Sequence, residues 1–357
     1  MAISLTNRTK AFVELGKALN ELLKQAYACE ASGTQNPFIE AVEKAENQNP
    51  WFVRSNVLRA IEGVASMLDE KAINNWLAKY KIPEYNIHPP KCVAVIMAGN
   101  IPVVGFHDFM CVLLSGNTFL GKFSSQDSVL PKFVADLLIE IEPGFKNSIL
   151  FTDGMLSQFD AVIATGSNNS ARYFDYYFGK YPHIIRRNRN GVALLTGQET
   201  LEDLALLADD VFLHFGLGCR NVSKLLVPEN YDFHPLFQSF EKWNGIGNFH
   251  KYFNNYEYHK AILLVNMIPH LDNGFLLLRE NNILASPTAV LYYQYYKSLS
   301  DAEKYISDNK DAVQCLVANP QVGTISGINI TGFGKSQSPC PDEYADRQDT
   351  LEFLLNI

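Results

Sequence analysis

The sequence has few cysteines and no long apolar stretch, and these absences exclude several classes of protein. Its six cysteines form no CxxC pair, which disfavours a structural zinc site, an iron–sulfur cluster and a secreted disulfide framework. No uninterrupted apolar run reaches about 18 residues, the length that a membrane-spanning helix needs. We therefore expect no metal site, no integral membrane segment and a cytoplasmic location, where thiols stay reduced.

Positive charge is scarcer than negative charge. The 30 lysines and arginines against 38 aspartates and glutamates give a formal net charge of −8, which disfavours broad binding to nucleic acid or to anionic membranes. Hydrophobic residues make up 47% of the 357 positions, as in ordinary globular proteins, and this length suits two lobes that share a cleft. We predict a globular protein with no nucleic-acid partner.

The spacing of apolar residues changes near residue 90. Before that point, intervals of three and four residues predict helices around 11–19 and 57–67, with a break at Asn49-Pro50 between them. Three prolines within residues 81–90 rule out a continued helix and make this segment a connector.

Beyond the connector, short apolar runs alternate with helical patterns. Strands are predicted at 92–97, 118–122, 148–151 and 160–164, and helices at 103–115, 128–140 and 168–178. A second run predicts strands at 192–195, 224–227, 261–266 and 288–293, and helices at 200–213 and 232–243. Such alternation is typical of parallel, doubly wound α/β sheets, in which ligands bind at the carboxyl ends of the strands. We place domain boundaries after residues 187 and 332.

Asn100 follows the first predicted strand of the alternating region. Small residues beside it allow a backbone or ligand to approach closely, and an Asn amide at the carboxyl end of a strand can donate to a developing oxyanion. The alternative is that Asn100 caps the helix predicted over 103–115. The segment alone favours neither role over the other.

Two further loops could bind a nucleotide. Lys122, Ser124 and Ser125 follow the second strand and could hold ribose hydroxyls or a phosphate, or simply form a solvated loop with a capping Ser or Asp. Gly166 and Ser167 follow a later strand, where free amides suit a diphosphate, or where Ser167 simply caps the next helix. The GxGxxG and GxxxxGK[ST] motifs are both absent, so each loop alone is weak evidence for a nucleotide.

Cys219 differs from the other cysteines because glycines, rather than apolar residues, surround it. A nucleophilic thiol needs exposure, space for an electrophile and positive charge nearby, and Gly216, Gly218 and Arg220 could provide these. The other five cysteines are predicted to be packing residues. Cys219 is therefore the candidate nucleophile.

Histidines and aromatic clusters give weaker signals. His107, His214 and His250 are acid–base candidates by type, but no partner lies at a diagnostic spacing, so we interpret them as structural. The aromatic runs 173–178 and 292–296 are predicted to cover sheet faces, with an apolar substrate channel as the alternative.

In order and spacing, these segments resemble the aldehyde dehydrogenase superfamily, and most of all its fatty acyl-CoA reductase branch, the LuxC-like enzymes. The resemblance is carried by Ala98-Gly-Asn-Ile-Pro102, Leu114-Ser-Gly-Asn117, Lys122-Phe-Ser-Ser125, Ala164-Thr-Gly-Ser167 and Gly216-Leu-Gly-Cys219 leading to Lys224-Leu-Leu-Val227. It implies an aldehyde dehydrogenase-like fold of two doubly wound Rossmann-like lobes with an active-site cleft between them. In that arrangement residues 1–187 form a helical N-terminus plus cofactor-binding domain, 188–332 form the catalytic domain, and 333–357 pack back on the lobes.

The resemblance also implies roles for single residues. Cys219 matches the catalytic thiol of the family, and Asn100 matches its oxyanion-hole side chain. Lys122 and Ser124 match the positions that hold the adenosine ribose. Gly166 and Ser167 match the turn near the cofactor diphosphate.

The cofactor choice follows from Ser125. Members that use NAD carry a Glu at this position, and its absence removes repulsion against a 2′-phosphate. The resemblance therefore favours NADPH, with NADH still open.

Two departures from the family pattern bear on the reaction. The family segment whose Glu activates water to hydrolyse the acyl-enzyme is replaced in this sequence by Arg186-Arg-Asn-Arg189. The Glu of a second family segment is missing from its counterpart here, near residues 285–287. Without a water-activating base, thioester reduction is favoured over the oxidation of aldehydes to acids. The expected function is NADPH-dependent reduction of a long-chain acyl-CoA to the aldehyde through a Cys219 thioester.

Other functions and partners stay open. A CoA-acylating aldehyde dehydrogenase or an acyl-transfer enzyme would use the same cysteine, and a non-catalytic scaffold would not use it. The substrate is an acyl-CoA or another acyl thioester, and a partner enzyme that donates the acyl group is conceivable. The arginine cluster 186–189 could attract CoA phosphates or form an interlobe salt bridge. The connector 81–91 looks too short for the dimerisation hairpin of the family, which leaves a homodimer in question.

Overall fold

The computed structural model describes residues 3–32, 36–86 and 88–357, with the side chains of 29–32 excepted. The chain divides into two compact units, Met1–Arg187 together with Ser338–Ile357, and Asn188–Gln337. The boundaries placed from the sequence follow residues 187 and 332. Residues 333–337 thus lie in the second unit, and only the last part of the C-terminal segment joins the first.

The first unit opens with a layer of helices. These are α1 (Leu5–Ser32), α2 (Pro37–Gln48), α3 (Arg54–Met67) and α4 (Glu70–Leu77). On α1, Leu15, Leu19 and Leu23 recur every four residues and are all buried, which is the stripe that an amphipathic helix presents to a core. The chain turns after α2 at Asn49, as predicted, and the described residues of the connector contain no strand.

A parallel sheet forms the centre of the first unit. Its strands and helices are β1 (Cys92–Ile96), α5 (Phe106–Leu114), β2 (Thr118–Lys122), α6 (Val129–Ile141), β3 (Ile149–Phe151), β4 (Ala161–Thr165), α7 (Asn168–Phe178) and β5 (His183–Arg186). The strand order is β3-β2-β1-β4-β5, and every pairing is parallel. The predicted doubly wound sheet is confirmed, although β5 was not predicted from the sequence.

The second unit contains another sheet of alternating elements. These are β6 (Asn190–Leu194), α8 (Leu201–Phe212), β7 (Val222–Pro228), α9 (His234–Phe240), α10 (His250–Val265), β8 (Leu271–Asp272), β9 (Leu277–Glu280), β10 (Val290–Tyr296), α11 (Leu299–Asp308), β11 (Val313–Val317) and β12 (Ile330–Thr331). The order is β12-β11-β6-β7-β10-β9-β8, and only the short edge strand β8 is antiparallel to its neighbour. Capping boxes at Thr200 and Ser298 fix the starts of α8 and α11.

The strand predicted at 261–266 is wrong, because residues 261–265 form the last turns of α10. A short apolar run has no period that separates a buried strand from a helix, and alanine and leucine favour the helix. Leu263 is buried there, whereas Leu264 and Val265 are exposed. None of the described helices is long and apolar enough to span a bilayer.

The C-terminal segment returns to the first unit and ends in α12 (Thr350–Leu355). Leu351 and Leu354 are buried in the core of that unit. Arg186, at the end of β5, donates to the Asp108 carboxylate at 2.5 Å and to Thr350 Oγ1 at 2.9 Å. These contacts join β5, α5 and α12.

The ion pair corrects both roles considered for Arg186. The residue is only 5% exposed, so it is inaccessible to CoA phosphates. Its partners Asp108 and Thr350 belong to the same unit, so the contact is not an interlobe salt bridge. Arg187, by contrast, is exposed and pairs with the exposed Asp175 at 2.8 Å.

The neighbouring arginines provide a matched pair of substitutions. Arg186→Ala leaves the Asp108 carboxylate buried without its counter-ion and is expected to lower the free energy of unfolding by about 3–5 kcal/mol. Arg187→Ala removes an exposed pair and is expected to cost less than about 1 kcal/mol. Urea unfolding of both variants measures the difference, and equal effects would contradict the structural role given to Arg186.

Candidate active site

The parallel register brings three of the predicted segments to one edge of the first sheet. Ile96 at the end of β1 pairs with Lys122 on one side and with Ala164 on the other. The chain therefore leaves β1, β2 and β4 at the same edge, towards Asn100, the Lys122 loop and Gly166-Ser167. Carboxyl ends of parallel strands are where ligands bind in this architecture.

Asn100 lies in an irregular stretch between β1 and α5 and is exposed. The helix starts at Phe106, later than predicted, and its N-cap is Gly105, which makes no side-chain capping bond. The alternative in which Asn100 caps this helix is therefore wrong. The exposed position leaves the side chain at the ligand-binding edge of the sheet.

Gly99 lets the segment before Asn100 lie directly against the Lys122 loop. A Cβ atom at Gly99 would come within 2.4 Å of Ser124 Oγ and 2.7 Å of Ser124 Cβ. Such distances are far shorter than carbon–oxygen or carbon–carbon contacts allow, so a side chain at position 99 would require Ser124 to shift. Asn49 Nδ2 also donates to the Gly99 carbonyl at 3.4 Å.

The Lys122 loop is a closed turn with an exposed tip. Lys122 Nζ donates to the Gly154 carbonyl at 2.9 Å, and Ser124 Oγ accepts from the Gln126 backbone N–H at 3.1 Å. Ser125 is exposed at the tip. Hydroxyl groups and an ammonium group are therefore presented along one turn at the ligand-binding edge.

Ser167 caps α7 by accepting from the Ser170 backbone N–H at 3.1 Å, as the simpler interpretation of this turn predicted. A Cβ atom at Gly166 would lie 2.9 Å from side-chain atoms of Phe174 and Ser170. These side chains therefore pack directly against the backbone of the turn. A helix N-terminus at this edge favours negative charge. The lysine, the hydroxyls and this helix end fit the phosphates and ribose of a nicotinamide dinucleotide.

Cys219 lies in the second unit, on the turn between α8 and β7, and is partly buried. The chain reaches it through His214, Phe215 and Gly216, which have φ values of 52°, 58° and 73°. Left-handed backbone is uncommon outside glycine and costs free energy, so the surrounding packing has to hold it. Phe215 does so by stacking on Phe249 with ring centroids 4.5 Å apart.

Asn221 fixes the cysteine turn, and the sequence analysis did not single it out. Its Oδ1 accepts from the Gly218 N–H at 2.8 Å, and its backbone N–H donates to the Gly218 carbonyl at 3.0 Å. Its Nδ2 donates to the carbonyls of Asp210 and Leu213 at 3.0 and 2.9 Å. At 2% exposure, this side chain is a buried clamp between the end of α8 and the turn that carries Cys219.

Arg220 is engaged with a second loop. Its Nε donates to the Ser336 carbonyl at 2.5 Å, while Asp210 accepts from the N–H groups of Gly334 and Ser336 at 2.7 and 3.0 Å. Burial raises the pKa of Asp210 to about 6. The loop at 334–336 is thereby fastened to both ends of the cysteine turn.

The remaining cysteines only partly match the packing role predicted for them. Cys111 and Cys315 are buried and Cys92 is partly buried, but Cys340 is exposed. The side chain of Cys29 lies outside the described residues. Cys340 lies between Pro339 and Pro341 in a polar stretch, and its exposure contradicts the packing role predicted for it.

The three candidate histidines lie in different environments. His107 Nε2 lies 2.8 Å from the Pro341 carbonyl, and His250 is exposed on α10. His214 is buried, and burial lowers its pKa to about 4, so its imidazole is neutral at physiological pH.

Lys224, five residues after Cys219, is fully buried and donates to the Asn281 carbonyl. Burial lowers the pKa of its ammonium group to about 8.

Comparison with known sequences identifies the family. The profile of the acyl-CoA reductase (LuxC) family matches residues 34–213, about half of the chain. The chain belongs to the LuxC acyl-CoA reductase family. The match includes the loops at Asn100, Lys122 and Gly166 and ends ahead of Cys219. The protein is accordingly an oxidoreductase, as predicted, and a search of curated proteins found no match.

Solved structures confirm the predicted aldehyde dehydrogenase fold of this LuxC-family chain. A mutant of 1-pyrroline-5-carboxylate dehydrogenase from Thermus thermophilus is 13% identical, with a TM-score of 0.65 over 98% of this chain and 79% of that chain. An NADP-dependent enzyme from E. coli is 13% identical, with a TM-score of 0.64 over 89% and 73%. A mutant of aldehyde dehydrogenase C from Pseudomonas syringae, solved with NAD+ and octanal, is 11% identical, with a TM-score of 0.61 over 88% and 72%. At these identities the likeness establishes the fold alone.

Asn221→Ala tests the clamp on the cysteine turn of this LuxC-family protein. The substitution leaves the partly buried Gly218 N–H and two carbonyls without their side-chain partner, so we expect the free energy of unfolding to fall by about 2–3 kcal/mol. Asn244, which is exposed and bonds only to exposed Glu241, is the matched control, with an expected change within about 0.5 kcal/mol. Urea unfolding followed by circular dichroism measures both. Indistinguishable midpoints would contradict the stabilising role given to Asn221.

Proposed function

We propose that this LuxC-family protein reduces a long-chain acyl-CoA to the aldehyde, with NADPH as the hydride donor and Cys219 as the acyl carrier. The observation that carries the proposal is the setting of Cys219, a partly exposed thiol on a turn held by the buried Asn221. Cys111 and Cys315 are buried and have no access to a bulky thioester. A reactive thiol needs both access and a fixed position, and Cys219 has both.

Residues at the edge of the first sheet would hold the cofactor. Lys122 and Ser124 suit the adenosine ribose, and Gly166 with Ser167 at the N-terminus of α7 suits the diphosphate. Ser125 brings no carboxylate to the exposed tip of its turn, which supports NADPH over NADH because a 2′-phosphate meets no repulsion there. When bound, the cofactor would supply the hydride that reduces the thioester.

The proposed chemistry starts with the Cys219 thiolate. Its sulfur attacks the acyl-CoA carbonyl, and the Asn100 Nδ2 and the Cys219 backbone N–H donate to the resulting oxyanion. The bond between the carbonyl carbon and the CoA sulfur then breaks, so that CoA leaves as a thiolate and the acyl group remains on Cys219. Transfer of a hydride to the carbonyl carbon would give the oxyanion of a thiohemiacetal on Cys219. Its collapse would break the bond between that carbon and the Cys219 sulfur, which releases the aldehyde and restores the thiolate.

Hydrolysis of the acyl-enzyme is disfavoured by the residues present. The position where the resemblance expects a water-activating Glu is occupied by the cluster that begins at Arg186, and Arg186 itself is buried against Asp108. The cluster thus supplies no carboxylate base there. An acyl group held on Cys219 is therefore expected to leave by reduction rather than as a free acid.

Cys219→Ala is expected to abolish acyl-CoA-dependent oxidation of NADPH, because the proposed acyl-enzyme forms on the Cys219 thiol. Cys340→Ala is the matched control, since Cys340 is also accessible but lies in the other unit, and it should retain the parental rate. NADPH fluorescence with a panel of acyl-CoAs measures both. Reduction at the parental rate by Cys219→Ala would contradict the proposal. Acylation of the parental protein without NADPH oxidation would indicate an acyl-transfer enzyme instead.

Asn100→Ala is expected to slow acylation of Cys219 by roughly 10²- to 10³-fold, because one donor to the oxyanion is lost. Release of CoA thiol in a single turnover, measured with a thiol reagent after rapid quenching, gives the acylation rate. Unchanged melting temperature should accompany the loss, since Asn100 is exposed. An acylation rate equal to that of the parental protein would remove Asn100 from the oxyanion site.

A further inference from the structure

Asp127 occupies a place that neither the sequence nor the proposed chemistry accounts for. The sequence predicted a Ser or Asp cap for the helix that became α6, yet Ser128 at the N-cap makes no side-chain capping bond to that helix. The Asp127 carboxylate instead reaches the neighbouring loop, where Oδ2 accepts from the Val103 N–H at 2.7 Å. This side chain therefore joins the loop after β2 to the segment after β1.

The bond is made to a strained residue. Val103 has a φ of 51°, a left-handed conformation in which a β-branched side chain is a rare outlier. Such a conformation persists only where surrounding contacts impose it. Val103 is buried and follows Asn100 by three positions, so the contact that holds its backbone also limits where Asn100 can lie.

Asp127 is held in an environment that does not favour a carboxylate. The residue is 3% exposed, and its Oδ1 is buried without a hydrogen-bond partner. Burial raises the pKa of this carboxyl to about 7, against the opposing effect of the Val103 bond. An unsatisfied buried oxygen lowers stability, so the position is poorly explained by a stabilising role alone.

Other contacts hold the same two loops without the Asp127 side chain. Gln48 at the end of α2 donates to the Ser125 carbonyl and to Ser128 Oγ, both at 2.9 Å. The backbone N–H of Asp127 donates to the Ser124 carbonyl at 3.1 Å, which closes the turn of the Lys122 loop. Truncation of the carboxylate would therefore release Val103 and leave the turn that carries Ser124 and Ser125 closed.

We propose that Asp127 is a positioning residue, which fixes the position of the Asn100 segment relative to the Lys122 loop by accepting a hydrogen bond from the Val103 N–H. The inference rests on the proposed function, because the oxyanion role of Asn100 belongs to it. Asp127 touches no reacting atom in this role. Its loss should slow the acylation of Cys219 while leaving the affinity for NADPH nearly unchanged.

Asp127→Ala and Asp127→Asn separate positioning from bulk stability. Alanine removes the acceptor for the Val103 N–H, and we expect acylation by acyl-CoA to slow about 10- to 100-fold, as for a small misplacement of a catalytic group. Asparagine keeps a carbonyl oxygen at that place and should restore acylation to within about threefold of the parental rate. The dissociation constant for NADPH should stay within about twofold in both variants, and Asp136→Ala, an exposed carboxylate on α6, is the control.

Hydrogen–deuterium exchange of the Val103 amide tests the contact independently of any activity. Exchange should rise about tenfold or more in Asp127→Ala and stay near the parental rate in Asp127→Asn. Unchanged exchange in Asp127→Ala, or faster exchange with an unchanged acylation rate, would overturn the proposal. If the parental protein forms no acyl-enzyme with any acyl-CoA, the proposed function fails, while the exchange result still decides whether Asp127 anchors Val103.

Discussion

The parallel pairing of β1 with both β2 and β4 is the constraint on which the candidate cofactor site depends. Because Ile96 is in register with Lys122 and Ala164, the three loops that follow these strands leave the sheet at one edge. A shift in register would separate them along the sheet. The placement of Asn100, the Lys122 loop and the N-terminus of α7 at one edge is therefore a consequence of backbone hydrogen bonding between these strands.

Both candidate loops are fixed by the same device, a buried side-chain oxygen that accepts from a backbone N–H in irregular chain. Asp127 does this for Val103 in the first unit, and Asn221 does it for Gly218 in the second. In each case the backbone nearby adopts left-handed φ values, at Val103 and at His214 to Gly216. Irregular backbone cannot satisfy its own N–H groups, so rigid functional loops require such acceptors from elsewhere.

Much of this arrangement could be predicted from the sequence, and the limits are physical. Alternating apolar runs indicated the strands, and strand ends marked Asn100 and Lys122, because local periodicity depends on neighbours in the chain. The start of α5 and the role of Asp127 depend on contacts between residues distant in sequence, which local patterns do not reveal. The strand predicted at 261–266 was wrong because a short apolar run has no period that separates a strand from a helix. For the arginine cluster 186–189, phosphate binding and an interlobe salt bridge were left as alternatives. Neither holds for Arg186, whose counter-ion Asp108 lies far away in sequence.

The central claim is that Cys219 carries the acyl group during thioester reduction. Mass spectrometry of the intact protein after incubation with acyl-CoAs of increasing chain length, without reductant and followed by peptide mapping, tests it most directly. We predict one acyl adduct, located on the peptide that contains Cys219. This adduct should disappear when NADPH is added, and free aldehyde should appear in its place. An adduct on another cysteine, or no adduct with any chain length, would contradict it.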